Sequence, residues 1–156
     1  MTKKSAGLLM YRSRQGKLEV FLVHPGGPFW ANKDAEAWSI PKGEYKDDED
    51  PLEAARREFR EETGFEAAGE ITPLTPLKQP SGKTIYAWTF EGDCDAEAIR
   101  SNTFSLEWPP RSGKIQEFPE VDRAEWFHLD RAIEKITKGQ RGFIEELVNM
   151  LKASVD

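Results

Sequence analysis

Three carboxylates are the residues of this chain best placed to do chemistry. Glu58, Glu61 and Glu62 stand at i, i+3 and i+4, so on a helix all three project from one side. Like charges at that spacing cost roughly 0.2–0.5 kcal/mol per pair on an exposed helix, and a divalent cation reverses the sign of that cost. Mg²⁺ prefers oxygen ligands and combines one or two protein carboxylates with water and substrate phosphate, which matches what this face offers. For three helical glutamates taken alone, a solvated acidic face paired by Arg56, Arg57 and Arg60 is the commoner explanation. The choice between the two rests on what surrounds them.

The helix that must carry these residues has a clear start and stop. Asp50 is an N-cap residue, Pro51 fits the first helical position, Glu53 holds the capping-box position, and Gly64 ends the helix. Leu52, Ala55 and Phe59 fall on one side and should face the core, and Phe65 supplies the apolar contact that often follows a C-terminal glycine. Upstream, the apolar runs Gly7 to Tyr11 and Leu18 to Val23 flank a polar turn and read as a β-hairpin. His24 to Ala37, with Pro25, Gly26, Gly27 and Pro28, reads as a loop that ends at the short apolar segment Trp38-Ser39-Ile40. Downstream, Thr84 to Phe90 alternates as a strand covered on both faces, Ser105 to Pro119 is too rich in proline and glycine for a regular element and reads as a long loop, and Ala124 to Leu129 reads as a last strand. Phe143, Ile144, Leu147, Val148 and Leu151 mark a covering helix after Gly142. Strands interleaved with one central and one terminal helix predict an α/β fold, a mixed sheet packed between helices in an α/β/α sandwich.

The spacing around the three glutamates decides between the two explanations. Gly43, Glu49, Arg57, Glu58, Glu61, Glu62 and Gly64 occupy every fixed Gly, Glu and Arg position of a pattern running from Gly43 to Phe65, and the segment resembles the full box of the Nudix hydrolases. With residue frequencies of roughly 7% each, a chance match at one starting point is on the order of 10⁻⁸, so coincidence does not account for it. Phe59 and Phe65 stand where that family usually has a bulky aliphatic residue, a change that bears on packing more than on chemistry. The resemblance implies a single Nudix domain over residues 1–156, with Glu58, Glu61 and Glu62 holding Mg²⁺, or Mn²⁺ as a substitute. It also implies the main-chain carbonyl of Lys42 as a further ligand, Gly43 allowing close backbone approach, and Arg57 orienting Glu58 or Glu49. Glu49 and Gly64 then serve as structural support. The family usually adds an acidic residue from a late loop as metal ligand or general base. Glu120 is best placed and Glu117 second, and an ordinary solvated role is open for both.

The implied reaction is attack of metal-activated water on one phosphorus of a phosphoanhydride, without a covalent nucleophile. Either Glu58 or Glu120 is a candidate to take the proton. For the substrate, Phe29 and Trp30 can stack on a base, while Trp38 is as readily a core residue. Lys33, Lys42, Arg111 and Lys114 are candidates to bind phosphates. The lead-in Trp38 to Gly43 resembles members acting on dinucleoside polyphosphates or diphosphoinositol phosphates, whereas Pro80, 15 positions past Phe65, resembles ADP-ribose-type members. A nucleoside tri- or polyphosphate, or a dinucleoside polyphosphate, ranks first. ADP-ribose, another nucleoside diphosphate derivative or a diphosphoinositol phosphate ranks second. A catalytically silent nucleotide sensor of the same fold is the alternative of another class, and the complete glutamate set argues against it.

Composition bounds the partners. The 156 residues are 38% hydrophobic with nine Phe, five Trp and three Tyr, enough to build a core. The net charge of −6 offers no basic stripe for duplex nucleic acid, so phosphate binding needs local cations. Cys94 is the only cysteine, which excludes an intramolecular disulfide and a Cys-based zinc site. No apolar run is long enough to span a bilayer and Arg12 interrupts the N-terminus before a signal core develops, so a cytoplasmic protein with a small-molecule substrate and no membrane partner is expected.

Overall fold

A computed structural model describes residues 3–155. β1 (Lys4–Arg14) and β2 (Lys17–Pro25) form the expected hairpin, longer at both ends than the apolar runs suggested. Its two-residue turn places Gln15 and Gly16 at φ 53° and 77°, the left-handed pair that matches the twist of hairpin strands. β1 is buried continuously from Ser5 to Met10, the mark of a strand covered on both faces. It pairs in parallel with β6 (Thr84–Glu91) and antiparallel with β2 and with the short β3 (Lys42–Glu44). β4 (Ile71–Pro73) and β5 (Leu77–Lys78) pair with β6, and β9 (Val121–His128) closes the other side on β2, giving a mixed seven-stranded sheet.

Alternation along the strands divides the core in two. Ala6, Leu8 and Met10 of β1 and Phe21 and Val23 of β2 share one cluster with Ala54, Ala55 and Phe59 of α1 (Pro51–Thr63). Leu9, Val20, Leu22, Ile85 and Ala87 face the opposite way, toward Ala132 of α2 (Leu129–Lys135) and Phe143, Ile144 and Leu147 of α3 (Arg141–Val155). The result is the expected α/β/α sandwich. No helix among the described residues is long and apolar enough to cross a membrane.

α1 follows its sequence signals. The Asp50 carboxylate accepts from the Glu53 N–H at 3.0 Å, and Gly64 at φ 82° donates its N–H to the Arg60 carbonyl. A cap of this type is worth about 1 kcal/mol.

Two expectations are corrected, and the open alternative at Trp38 is decided. The segment Ser105 to Pro119 is not one loop: β7 (Thr103–Glu107) and β8 (Ile115–Pro119) form a separate two-stranded ribbon, and the irregular part is its tip, Trp108 to Lys114. β7 does alternate, with Phe104 and Leu106 half-buried between exposed Thr103, Ser105 and Glu107, but the run is only five residues long and the prolines and glycine of the adjoining tip hid it. The last strand begins at Val121, and Leu129 opens α2, a two-turn helix too short to show a period in the sequence. Trp38 is fully buried against Phe127 and His24, and its indole N–H donates to Asp34 at 2.8 Å, so it is a core residue and not a stacking surface.

Candidate active site

The glutamate face of α1 lies against β3. A Cβ on Gly43 would overlap the carboxyl group of Glu58, so what glycine allows there is close approach of side chain to backbone, not a special φ. Glu62 is sunk further, and its carboxylate accepts the Lys42 N–H at 3.3 Å. Burial, with Glu58 close by, pushes Glu62 up from the ordinary 4.5 to about 8. Burial also raises Glu58, although a hydrogen bond from Arg57 at 3.2 Å pulls the other way. Arg57 ties the face together: it donates to Glu49, bonds Glu58, and stands 3.7 Å from Glu61. Glu49 in turn accepts from the Lys46 N–H at 3.0 Å. Gly64 closes the helix just past these groups.

Glu120 reaches the same place from the far end of the chain. Asn102 donates its N–H to the Glu61 carbonyl and accepts the Glu120 N–H, both at 2.8 Å, while the Glu120 carbonyl accepts from Gly26. This backbone bridge holds the junction of β8 and β9 over the end of α1. Glu58, Glu61, Glu62 and Glu120 then line one cavity of about 200 Å³ with Lys42, Gly43, Glu44 and Asn102. Glu117, on the exposed ribbon, does not line it.

A second, larger cavity of about 500 Å³ shares Lys42, Glu62 and Glu120 with the first. Val23, Ile40, Ile85 and Val121 form part of its wall, with Trp30 and Pro80 and the polar Gln79, Lys83 and Gln140 around them. Volume and mixed lining are those of a small-molecule site. Of the residues expected at the substrate, Lys42 and Trp30 are here; Phe29, Lys33, Arg111 and Lys114 line neither cavity. Phe29 packs edge-on to Trp108 of the ribbon, Lys33 lies over the Trp30 ring, and Arg111 and Lys114 sit exposed at the ribbon tip. The loop bearing Trp30 is tied down by buried His24, whose ring bridges the Asp122 carboxylate at 2.8 Å and the Lys33 carbonyl at 2.6 Å.

The donor chemistry fits a hard divalent cation. The carboxylates are oxygen ligands, and Glu58 and Glu62, both raised first by burial and then by neighbouring carboxylates, are relieved by a positive charge. Among the described residues no three acidic, His or Cys side chains are already gathered at metal-binding distances. Glu58 and Glu61 lie against Arg57, at 3.2 and 3.7 Å. Sequence reasoning missed Lys83, Gln79, Gln140 and Asn102, which carry no motif and arrive by tertiary contact.

A family model described as NUDIX domain matches residues 1–147. The chain is 31% identical over 130 residues to a protein named RNA pyrophosphohydrolase from Brucella anthropi, covering 72% of this chain and 68% of that one. The protein of the same name from Rhizobium meliloti is 32% identical, covering 72% and 71%. Among solved structures, a C. elegans Ap4A hydrolase binary complex superposes with a TM-score of 0.66 at 20% identity, covering 96% of this chain and 98% of that one. The NUDIX domain of Shewanella oneidensis NrtR complexed with ADP ribose gives 0.61 at 14% identity, covering 100% and 90%. At such identities the superpositions speak for the fold.

Proposed function

The chain belongs to the NUDIX family, a hydrolase acting on phosphoanhydrides, and from that premise we propose that it cleaves a nucleoside tri- or polyphosphate, or a dinucleoside polyphosphate, with Mg²⁺. The observation that carries the reading is the wall shared by two cavities. Acidic side chains crowd one side of Lys42, Glu62 and Glu120, and a largely apolar space bordered by Trp30 opens on the other. A phosphate chain crossing that wall puts its anhydride beside the carboxylates and its nucleoside in the larger space.

Glu58, Glu61 and Glu62, with the Lys42 carbonyl and Glu120, would hold the cation. Mg²⁺, or Mn²⁺ in its place, supplies neutralisation of the phosphate oxygens and activation of water. The chain's own residues do the rest. Arg57 fixes the carboxylates of Glu49 and Glu58 so that they keep their orientation through turnover. Gly43 lets Glu58 lie flat against β3. Lys42 sets its ammonium beside the phosphates, and Glu120, exposed and with no side-chain hydrogen bond among the described residues, is the group free to accept a proton from water at its carboxylate.

A second reading has its own observation: Pro80, the residue that suggested ADP-ribose-type members, lines the larger cavity. The names of the relatives add RNA as a third candidate, against which the net charge of −6 weighs. A phosphate-release panel with Mg²⁺, using a nucleoside triphosphate, a dinucleoside tetraphosphate, ADP-ribose and a 5′-triphosphorylated RNA, separates them. Turnover is expected to be fastest on the first pair and to fall by about 10² or more in Glu61→Gln and Glu62→Gln. No turnover of any of the four, or turnover unchanged in both variants, overturns the reading.

A further inference from the structure

Every residue from Phe29 to Glu36 is exposed, so the loop that carries Trp30 to the larger cavity has no core of its own to fix it. Its ends are held. The Gly26 N–H donates to the Glu120 carbonyl at 2.9 Å, and the Asp34 carboxylate accepts from the Trp38 indole at 2.8 Å. Between those ends, among the described residues, one hydrogen bond ties the stretch from Gly27 to Lys33 to the rest of the fold: the bond from the His24 ring to the Lys33 carbonyl. The ring contact of Phe29 leads only to Trp108 on the ribbon. Within the stretch, the Lys33 N–H donates to the Trp30 carbonyl at 3.0 Å and the Trp30 N–H to the Gly27 carbonyl at 3.3 Å. Lys33 also sets its ammonium 4.9 Å from the centre of the Trp30 ring. Lys33 is therefore the link: it holds Trp30 by backbone and ring, and His24 holds Lys33.

The His24 ring is fully buried, edge-on to Trp38. Both its nitrogens meet acceptors, Nδ1 the Asp122 carboxylate at 2.8 Å and Nε2 the Lys33 carbonyl at 2.6 Å. Neither a carbonyl nor an ionised carboxylate has a proton to give, so both nitrogens donate. The two bonds serve different ends. The one to Asp122 orients the ring against β9, and a ring so oriented aims Nε2 at a single point of the loop. An amide side chain reproduces one nitrogen at a time: Asn carries its N–H group near the Nδ1 position, and Gln near the Nε2 position.

We infer that His24 is a positioning residue for the nucleoside end of the substrate: its Nε2–H fixes Lys33 and, through Lys33, sets Trp30 beside the larger cavity. Affinity for the nucleoside, and not for the phosphate chain, then depends on that hydrogen bond. The inference rests on the proposed function for its ligand, and its test includes a readout that does not.

His24→Asn keeps a donor for Asp122 and loses the bond to Lys33, and His24→Gln does the reverse. Each loses one hydrogen bond, so both melting temperatures should fall alike, by about 2–4 °C. In steady-state kinetics with Mg²⁺, KM for a nucleoside triphosphate should rise about two- to tenfold in His24→Asn, the worth of the Trp30 contact, with kcat little changed. In His24→Gln it should stay within about twofold of wild type, because the bond to Lys33 is kept. Inhibition by inorganic tripolyphosphate, which has no nucleoside, should be the same in all three proteins. Placed on Trp30→Ala, His24→Asn should raise KM no further. If His24→Asn does not fold, His24→Phe, which keeps a ring against Trp38 and makes neither bond, carries the same expectation. Hydrogen exchange over residues 27–33 needs no substrate, and it should quicken in His24→Asn but not in His24→Gln. Equal KM rises in the two variants, a matching loss of affinity for tripolyphosphate, or an undiminished effect on Trp30→Ala overturns the inference. If the wild type cleaves no nucleoside phosphate, the proposed function fails, and equal exchange over residues 27–33 in the two variants still overturns the inference on its own.

Discussion

The acidic end of the site and its outer end are built in opposite ways. At the acidic end one helix supplies Glu58, Glu61 and Glu62, and a single side chain of that helix, Arg57, engages Glu49, Glu58 and Glu61 over a short stretch of sequence. At the outer end the loop bearing Phe29 and Trp30 meets Trp108 of a ribbon almost eighty residues away through a ring contact at 5.3 Å. Phe29 and Ile115 are 61% and 68% exposed there. Local hydrogen bonds position the first end from several directions at once, so it suits chemistry that tolerates little displacement. The second is anchored at its base by the His24 ring on the Lys33 carbonyl and is exposed beyond it, which suits the part of a ligand that varies among substrates.

If that contrast is right, the largest effect short of removing a carboxylate should come from the least conspicuous change. Gly43→Ala pushes a methyl group into the Glu58 carboxylate, which can swing aside because it ends a flexible side chain. Steady-state kinetics should show kcat lowered about a hundredfold, the cost of displacing a catalytic group by about 1 Å, while the melting temperature moves by only about 2 °C. Unchanged kcat would mean that the placement of Glu58 against β3 is not needed.

The next effect concerns stability. Glu62 is raised to about 8 in the fold and returns to the ordinary 4.5 on unfolding, so between those values the unfolded chain has released a proton that the folded one keeps. Stability without metal therefore falls as pH rises through that window, a slope that Glu58 reinforces because its shift has the same direction. Thermal melts in EDTA should show Glu62→Gln gaining on the wild type from about pH 5 to about pH 8, and millimolar Mg²⁺ should narrow the gap. A gap independent of pH would remove the electrostatic account of the acidic end.

At the outer end, Trp30→Ala should raise KM for nucleotide substrates about two- to tenfold, the worth of one aromatic contact, with kcat nearly unchanged. A loss in kcat instead would show that the two ends are coupled. The smallest effect is expected at the ribbon tip. Arg111→Ala and Lys114→Ala should leave kcat/KM within about twofold at physiological salt, because both side chains are exposed and line neither cavity. A larger loss would bring the ribbon into the site and weaken the contrast.

The two ends also differ in how far they can be read without a structure. Asp50, Pro51 and Gly64 delimit α1, and the period of Leu52, Ala55 and Phe59 orients it, because capping and amphipathicity act within a few residues. The spacing from Gly43 to Phe65 therefore determined by itself the helix and the common face of the three glutamates, and through its resemblance to the Nudix box it pointed to the class of reaction. Only the tertiary structure decided that Glu120 and not Glu117 lines the acidic cavity, that Trp38 is core, that Ser105 to Pro119 contains a ribbon, and that Lys83 and Asn102 border the site. Those facts depend on β1 lying between β3 and β6 and on two backbone hydrogen bonds at Asn102. Strand pairing and loop-to-helix contacts join residues far apart in the chain, and the free energy that selects them is shared among many partners, so no single residue type or spacing records it.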